Sequence, residues 1–125
     1  MLKLLWIGLG GFLGAISRYA LSGFIYRVFS DPWMPYGTMA CNVLGCFLIG
    51  LLGGLSESRQ LFAPEIRLFL FIGLLGGFTT FSSFGMETFN LMREGQWFPS
   101  LMNVILSIVL GLIAVWIGFN ITRIR

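Results

Sequence analysis

The sequence contains no histidine, two cysteines and four prolines, and only 10% of its 125 residues are charged, as eight Lys or Arg and five Asp or Glu. Without histidine the chain lacks the commonest metal ligand and the usual acid–base group near neutral pH. Cys41 and Cys46 stand five apart, about 140° around a helix, which suggests neither a ligand cluster nor a thiol pair. Both are read as small apolar packing residues. No nucleophile–base spacing and no phosphate loop ahead of a soluble helix occurs, so an enzyme is not expected. The cations are scattered one or two at a time with no patch or stripe, which excludes nucleic acid as a partner despite a pI near 9.3. Scarcity of charge is the most decisive absence. An ordinary soluble domain carries about a quarter charged residues, and a chain of this size buries only about two-thirds of its unfolded surface. Too few polar side chains remain to cover the rest, so a soluble monomer is excluded. Disorder is excluded by the same numbers.

What is present is apolar: 57% of residues are hydrophobic and the mean hydropathy is +0.89. A spanning helix needs about 20 mostly apolar residues. Pro32–Ser56, Leu68–Met86 and Gly95–Thr122 carry no charge, and Leu4–Phe29 carries only Arg18 and Arg27. These runs predict an all-α integral membrane protein, one four-helix domain over residues 1–125, with spans at about 4–27, 36–55, 66–91 and 100–121. Asp31-Pro32-Trp33-Met34-Pro35 is expected to break the first helix from the second. Ser56–Gln60 and Arg93–Gln96 are the other predicted turns. Lys3, the apolar run and Ala15-Ile16-Ser17 mimic a signal peptide, but apolar character resumes after Arg18, so a retained helix is expected. Four spans put both termini on one face with Lys3, Arg59, Arg67, Arg123 and Arg125. Arg27 and Arg93, and Arg18 if it snorkels that way, fall to the other. The bias leans toward termini inside.

Seventeen glycines include Gly10-x-x-x-Gly14, Gly50-x-x-x-Gly54 and Gly73-x-x-x-Gly77. This spacing lets helix backbones approach closely and predicts tight packing, here expected against a second copy of the chain. Uncharged polar residues are placed with equal regularity. Thr38 and Asn42 share a helical face with Gly45, and Ser100, Asn103 and Ser107 line another that continues to Gly111. Such groups cost free energy against hydrocarbon, so each stripe either glues helices together or lines a polar path.

The third span is the most informative. Its centre reads Gly73-Leu74-Leu75-Gly76-Gly77-Phe78-Thr79-Thr80-Phe81-Ser82-Ser83-Phe84-Gly85-Met86-Glu87. Two glycines followed by two threonines are poor helix formers, and an unwound stretch near mid-membrane is expected. Broken backbone at that depth must be buried in protein or line a cavity. It exposes carbonyls, which suit a hard cation such as Na⁺, and N–H groups, which with hydroxyls suit an anion. Phe81 and Phe84 follow at i, i+3. They are either packing residues or a pair of positive ring edges able to solvate a small anion. A pore without a buried full cation releases its anion quickly. Glu87 is a membrane carboxylate and therefore a functional candidate.

The motifs Gly10-Gly11-Phe12-Leu13-Gly14-Ala15-Ile16-Ser17-Arg18-Tyr19, Gly37-Thr38-Met39-Ala40-Cys41-Asn42-Val43-Leu44-Gly45 and Gly73–Phe84 occur in order along the chain. In these motifs, its length and its four spans the chain resembles the Fluc/CrcB family of fluoride ion channels. The resemblance implies an antiparallel, dual-topology homodimer with two fluoride pores in the bacterial inner membrane. It also implies a structural Na⁺ at the dimer centre, on the carbonyls of Gly76 and Thr79. Asn42 would donate its amide N–H to fluoride, and Phe81 and Phe84 would line the pore. Thr38, Ser82, Ser83 and Glu87, with Asn103 and Ser107 of the fourth helix, would complete the polar track. Arg18 would set the charge of the vestibule.

The function expected is passive, selective export of fluoride down its electrochemical gradient, which relieves fluoride toxicity. The alternative is a proton-coupled cation exporter of the small multidrug resistance type, in which Glu87 alone could serve as the alternating carboxylate.

Overall fold

The computed structural model describes residues 1–30 and 33–123. Asp31 and Pro32, within the predicted first break, and Arg125, one of the cations of the termini face, lie outside the described residues. Four helical stretches are long and apolar enough to cross a membrane: Leu2–Val28, Tyr36–Arg59, Pro64–Arg93 and Trp97–Ile121. The first two are α1 (Leu2–Val28) and α2 (Tyr36–Arg59). The third span comprises α3 (Pro64–Arg67), a π-helical stretch (Leu68–Leu75), α4 (Gly76–Phe78) and α5 (Phe81–Arg93). The last is α6 (Trp97–Ile121). At about 1.5 Å per residue, α1 is about 40 Å long, enough for the roughly 30 Å hydrocarbon core.

One helix end differs from expectation. α2 runs on through Ser56–Arg59, predicted as a turn, and stops only at Gln60, which takes a left-handed conformation (φ 48°). Polarity alone does not end a helix. The residues Ser56, Glu57, Ser58 and Arg59 tolerate helical backbone, and the C-terminal residue in the left-handed region is what stops it.

α2 is the centre of the bundle. It packs along α6 on one side, and α1 packs against the first half of the third span. Large apolar side chains such as Leu5, Phe12, Ile16 and Phe24 on α1, and Leu101, Ile108, Leu112 and Trp116 on α6, face outward. Water would not tolerate so large an apolar surface. Lipid does.

The three glycine pairs make their close approaches inside the chain, where contact with a second copy was expected. A Cβ on Gly73 would lie 2.6 Å from the Ile7 carbonyl and 2.9 Å from Gly10 Cα, and one on Gly77 would lie 2.7 Å from the Gly11 carbonyl. Gly10 and Gly14 face Phe69, Leu74 and Phe78 in the same way. The first and third spans are thus pressed backbone to backbone. Gly50 and Gly54 of α2 do the same against Val115 and Phe119 of α6, and Gly118 returns the contact against Phe47 and Leu51.

The third span bends at Thr79–Thr80, the expected interruption. The glycine pair stays helical in α4, and the two threonines extend instead, with φ −88°, ψ 155° at Thr79 and φ −150°, ψ 119° at Thr80. Before the bend the span lies on α1; after it, α5 lies on α6 and touches α2 lightly. The bend therefore hands one membrane span from one neighbour to another.

Candidate functional site

A bend at membrane depth leaves backbone groups without helical partners, and side chains satisfy several of them here. The Thr79 N–H and hydroxyl both donate to the Leu75 carbonyl, at 3.0 and 2.9 Å. Asn42 Nδ2 donates to the Thr80 carbonyl at 2.9 Å, and the Thr80 N–H donates to Asn42 Oδ1 at 2.7 Å. The side-chain amide thus behaves as a short piece of paired strand. Gly45, one turn further along α2, leaves room for the methyl of Thr79.

Thr80 also starts α5. Its hydroxyl accepts from the Ser83 N–H at 3.2 Å, the usual N-cap bond, and lies 3.2 Å from Ser83 Oγ and 3.3 Å from Ser82 Oγ. The hydroxyls at 80, 82 and 83 therefore converge on the positive end of a 13-residue helix. Arg18 reaches the other side of the bend, where its Nε donates to the Gly77 carbonyl at 3.2 Å. Among the described residues, no side-chain hydrogen bond and no backbone bond outside the helices reaches the carbonyls of Gly76 or Thr79.

Two grooves flank this bend. The larger, of about 780 Å³, is lined by Arg18, Arg27, Thr38, Thr80, Ser83 and Glu87, among others. The smaller, of about 320 Å³, is lined by Asn42, Gly76, Thr79, Thr80 and Phe81, with Cys46 and Ile49 among its apolar walls. Thr80 lines both. In the larger groove Thr38 Oγ1 donates to Glu87 Oε1 at 2.8 Å, while Glu87 Oε2 is buried without a partner among the described residues. Two guanidinium groups against one carboxylate make this groove net positive, so it draws anions in from solution. The Phe81 and Phe84 rings lie 5.7 Å apart between centroids and are tilted by 41°. Phe84 is half-buried, while Phe81 is 84% exposed at the mouth of the smaller groove.

Asn42, Thr38, Ser83, Glu87, Phe81 and Arg18 are therefore brought together around the bend, from three different spans. Ser82 stands exposed beside Thr80. Asn103 and Ser107 line neither groove. Asn103 is 1% exposed, its Nδ2 donates to Thr88 Oγ1 at 2.9 Å, and Ser107 Oγ donates to its Oδ1 at 3.5 Å. Three polar residues absent from the sequence-predicted set belong to this region. Thr80 was legible as a threonine opening a helix. Arg27 stands two turns and a half beyond Arg18 and shares its groove. Thr88, which links α5 to α6, carries no local signal beyond its place four residues after Phe84.

The arrangement can do two things chemically. It gathers hydroxyls, amide N–H groups and a pair of aromatic rings, groups able to solvate a small anion, and along the smaller groove it places Gly76 and Thr79, whose backbone carbonyls are of the kind that suits a hard cation.

The family model described as "CrcB-like protein, Camphor Resistance (CrcB)" matches residues 5–119. Three similar proteins, each called "Fluoride-specific ion channel FluC", come from Salinibacter ruber, Citrifermentans bemidjiense and Methylobacillus flagellatus. The first is 50% identical over 94% of this chain and 87% of its own length. The second is 45% identical over 98% of each chain. The third is 41% identical over 98% of this chain and 96% of its own. With four membrane-spanning helices, a bent third span and identities of 41–50% over nearly the whole length, the chain belongs to the CrcB/FluC family of fluoride-specific ion channels, and not to a family of enzymes or exporters.

Proposed function

We propose that the chain conducts fluoride passively and selectively, and that by doing so it lowers fluoride in the cell. The observation that carries this reading is the bend. Asn42, Thr80, Ser83 and the Phe81–Phe84 pair stand around two extended residues, and among the described residues no arginine or lysine lies over either of those two rings. Fluoride holds its water more strongly than chloride does, so a selective pore must replace that shell with many short hydrogen bonds. Asn42 keeps a second Nδ2 hydrogen beyond the one given to Thr80, and that hydrogen is the donor assigned to fluoride. Ser82 and Ser83 add hydroxyls, Thr38 stands along the same track with its own proton given to Glu87, and Phe81 and Phe84 add ring edges. Arg18 lines the larger groove with Thr38 and Ser83, its Nε tied to the Gly77 carbonyl, and its charge concentrates anions in that vestibule. HF enters cells uncharged and dissociates inside, so a passive channel in a cell with a negative interior drains the ion outward.

The protomer acts as half of an antiparallel homodimer. A phenylalanine that is 84% exposed at the mouth of a groove, next to the carbonyls of Gly76 and Thr79, marks a surface that needs a second copy. Those carbonyls are hard oxygen donors that fit Na⁺. Paired across a two-fold axis, they would hold the ion and bind the two bends to each other. Asn103 and Ser107 bear on fluoride only indirectly in this reading, since their polar atoms bond to α5 and to each other.

The test is ion efflux from liposomes holding the purified protein. Fluoride efflux should be fast and chloride efflux close to background, and Phe81→Ile should abolish fluoride flux while leaving a folded dimer. Equal flux of both halides defeats the selectivity argument, and unchanged flux in Phe81→Ile shows that the ring edge is dispensable.

A further inference from the structure

α5 carries Phe81, Ser82, Ser83, Phe84 and Glu87, yet it begins after a two-residue break and has no packing on α1. Its rotation about its own axis decides where the two rings point, and the bend alone cannot set it. α6 is its main neighbour. The contact between them is polar at one place, Thr88, one turn beyond Phe84.

Three hydrogen bonds meet there. Asn103 Nδ2 donates to Thr88 Oγ1 at 2.9 Å, and that hydroxyl donates in turn to the Phe84 carbonyl at 2.7 Å. Ser100 Oγ donates to the Thr88 carbonyl at 3.2 Å. Ser100 is 4% and Asn103 1% exposed, so these bonds are shielded from competing water. Ser107 holds the Asn103 oxygen from one turn further along α6. A buried, nearly fully satisfied network of this kind fixes one geometry, because each displaced member leaves a polar group without a partner.

We propose that Asn103 and Thr88 are positioning residues for permeation: acting through the Phe84 carbonyl, they lock the rotation of α5 and so aim the Phe84 ring into the pore. The proposal rests on the ring pair lining the fluoride path. It assigns the polar stripe of α6 to orienting an element that touches the ion. An ordinary helix glue would contribute stability alone; this network holds the one turn of backbone from which Phe84 projects.

The experiment compares Thr88→Val, Thr88→Ser and Asn103→Leu in liposomes, reading fluoride flux and the fluoride-to-chloride flux ratio. Thr88→Val keeps the shape but removes the hydroxyl. It should lower fluoride flux about tenfold, the scale of one well-made buried hydrogen bond, and lower the halide ratio with it. Asn103→Leu should move both readouts the same way. Thr88→Ser, which keeps the hydroxyl, should restore both. Folded Thr88→Val and Asn103→Leu proteins with wild-type flux and ratio overturn the proposal. It is equally overturned if both variants fail to fold while Thr88→Ser folds, since the network would then be a folding determinant only. Phe81→Ile and Phe84→Ile separate this outcome from failure of the underlying reading. If the ring variants lose flux and the Thr88 and Asn103 variants do not, only the positioning role falls; if the ring variants conduct normally, the channel reading falls with it.

Discussion

Asn42 and Thr80, on different membrane spans, bond to each other twice: the side-chain amide takes the carbonyl at 2.9 Å and the N–H at 2.7 Å. A bend in a membrane helix ordinarily leaves such groups facing hydrocarbon, at a cost of several kcal/mol each. Here one side chain removes two of those costs. It does so without carrying charge, so the repair of the backbone adds no ion trap to the proposed path.

Replacing Asn42 separates these roles. Asn42→Ala leaves the half-buried Thr80 N–H and carbonyl without their side-chain partner, and should destabilise the protein by up to about 1–3 kcal/mol for each group that water in the grooves does not reach. Asn42→Asp retains an acceptor for the Thr80 N–H but has no donor for the carbonyl, and it puts a negative, acceptor-only group on the proposed fluoride path. Thermal unfolding in detergent should rank wild type above Asn42→Asp and Asn42→Ala. Fluoride efflux should be lost in Asn42→Asp even where that variant remains folded, and substantial efflux there would remove the amide donor from the mechanism.

The glycine contacts make a prediction about stability alone. A methyl on Gly14 would meet the Leu74 carbonyl, the Phe78 nitrogen at 2.9 Å and the Leu74 carbonyl carbon at 3.0 Å, all of them backbone. No side-chain rotation relieves this, so α1 must move away from the third span. Overpacking of that kind costs about 1–3 kcal/mol. Gly53 has nothing within 4 Å of the same position, and Gly53→Ala should be neutral or slightly stabilising, by roughly 0.5–1 kcal/mol, through the better helix propensity of alanine. Unfolding midpoints of the two variants, measured side by side, check the contrast. Equal midpoints would mean that the first and third spans are not pressed together as described.

The spans were legible because charge-free apolar runs of sufficient length have few other uses. The position of the bend was legible from the residues at 76–80, but its details were not. Gly76 and Gly77 look like the weak point by helix propensity, yet they stay helical, since Gly77 is needed for close contact with Gly11. The threonines extend because Asn42, 38 residues earlier than Thr80, supplies the missing partner. Tertiary pairing overrode local preference, and nothing near Thr80 announces it. The same holds for the glycine pairs, whose spacing signals close packing without naming the partner helix. In α6 the polar stripe was plain from spacing, but it ends on Thr88, a residue whose own neighbourhood in sequence gives no hint of the contact.

The Thr38–Glu87 pair supports the last prediction. Thr38 is 6% exposed and its hydroxyl donates to Glu87 Oε1 at 2.8 Å, while Oε2 has no partner among the described residues. The hydroxyl is the one donor that this carboxylate receives among them, and a hydrogen bond to a charged group contributes about 1.5–3 kcal/mol. Thr38→Val should therefore be destabilising by about that amount. Glu87→Gln keeps an oxygen for Thr38, exchanges the unpartnered oxygen for an amide, and removes the charge that made the bond strong. In a double-mutant cycle, Thr38→Val should cost markedly less in the Glu87→Gln background than in wild type, with a coupling of about 0.5–3 kcal/mol expected for residues in contact. Unfolding of all four proteins in detergent measures it. A coupling near zero would show that Thr38 and the carboxylate contribute independently, and that Glu87 is held in the groove by something other than this bond.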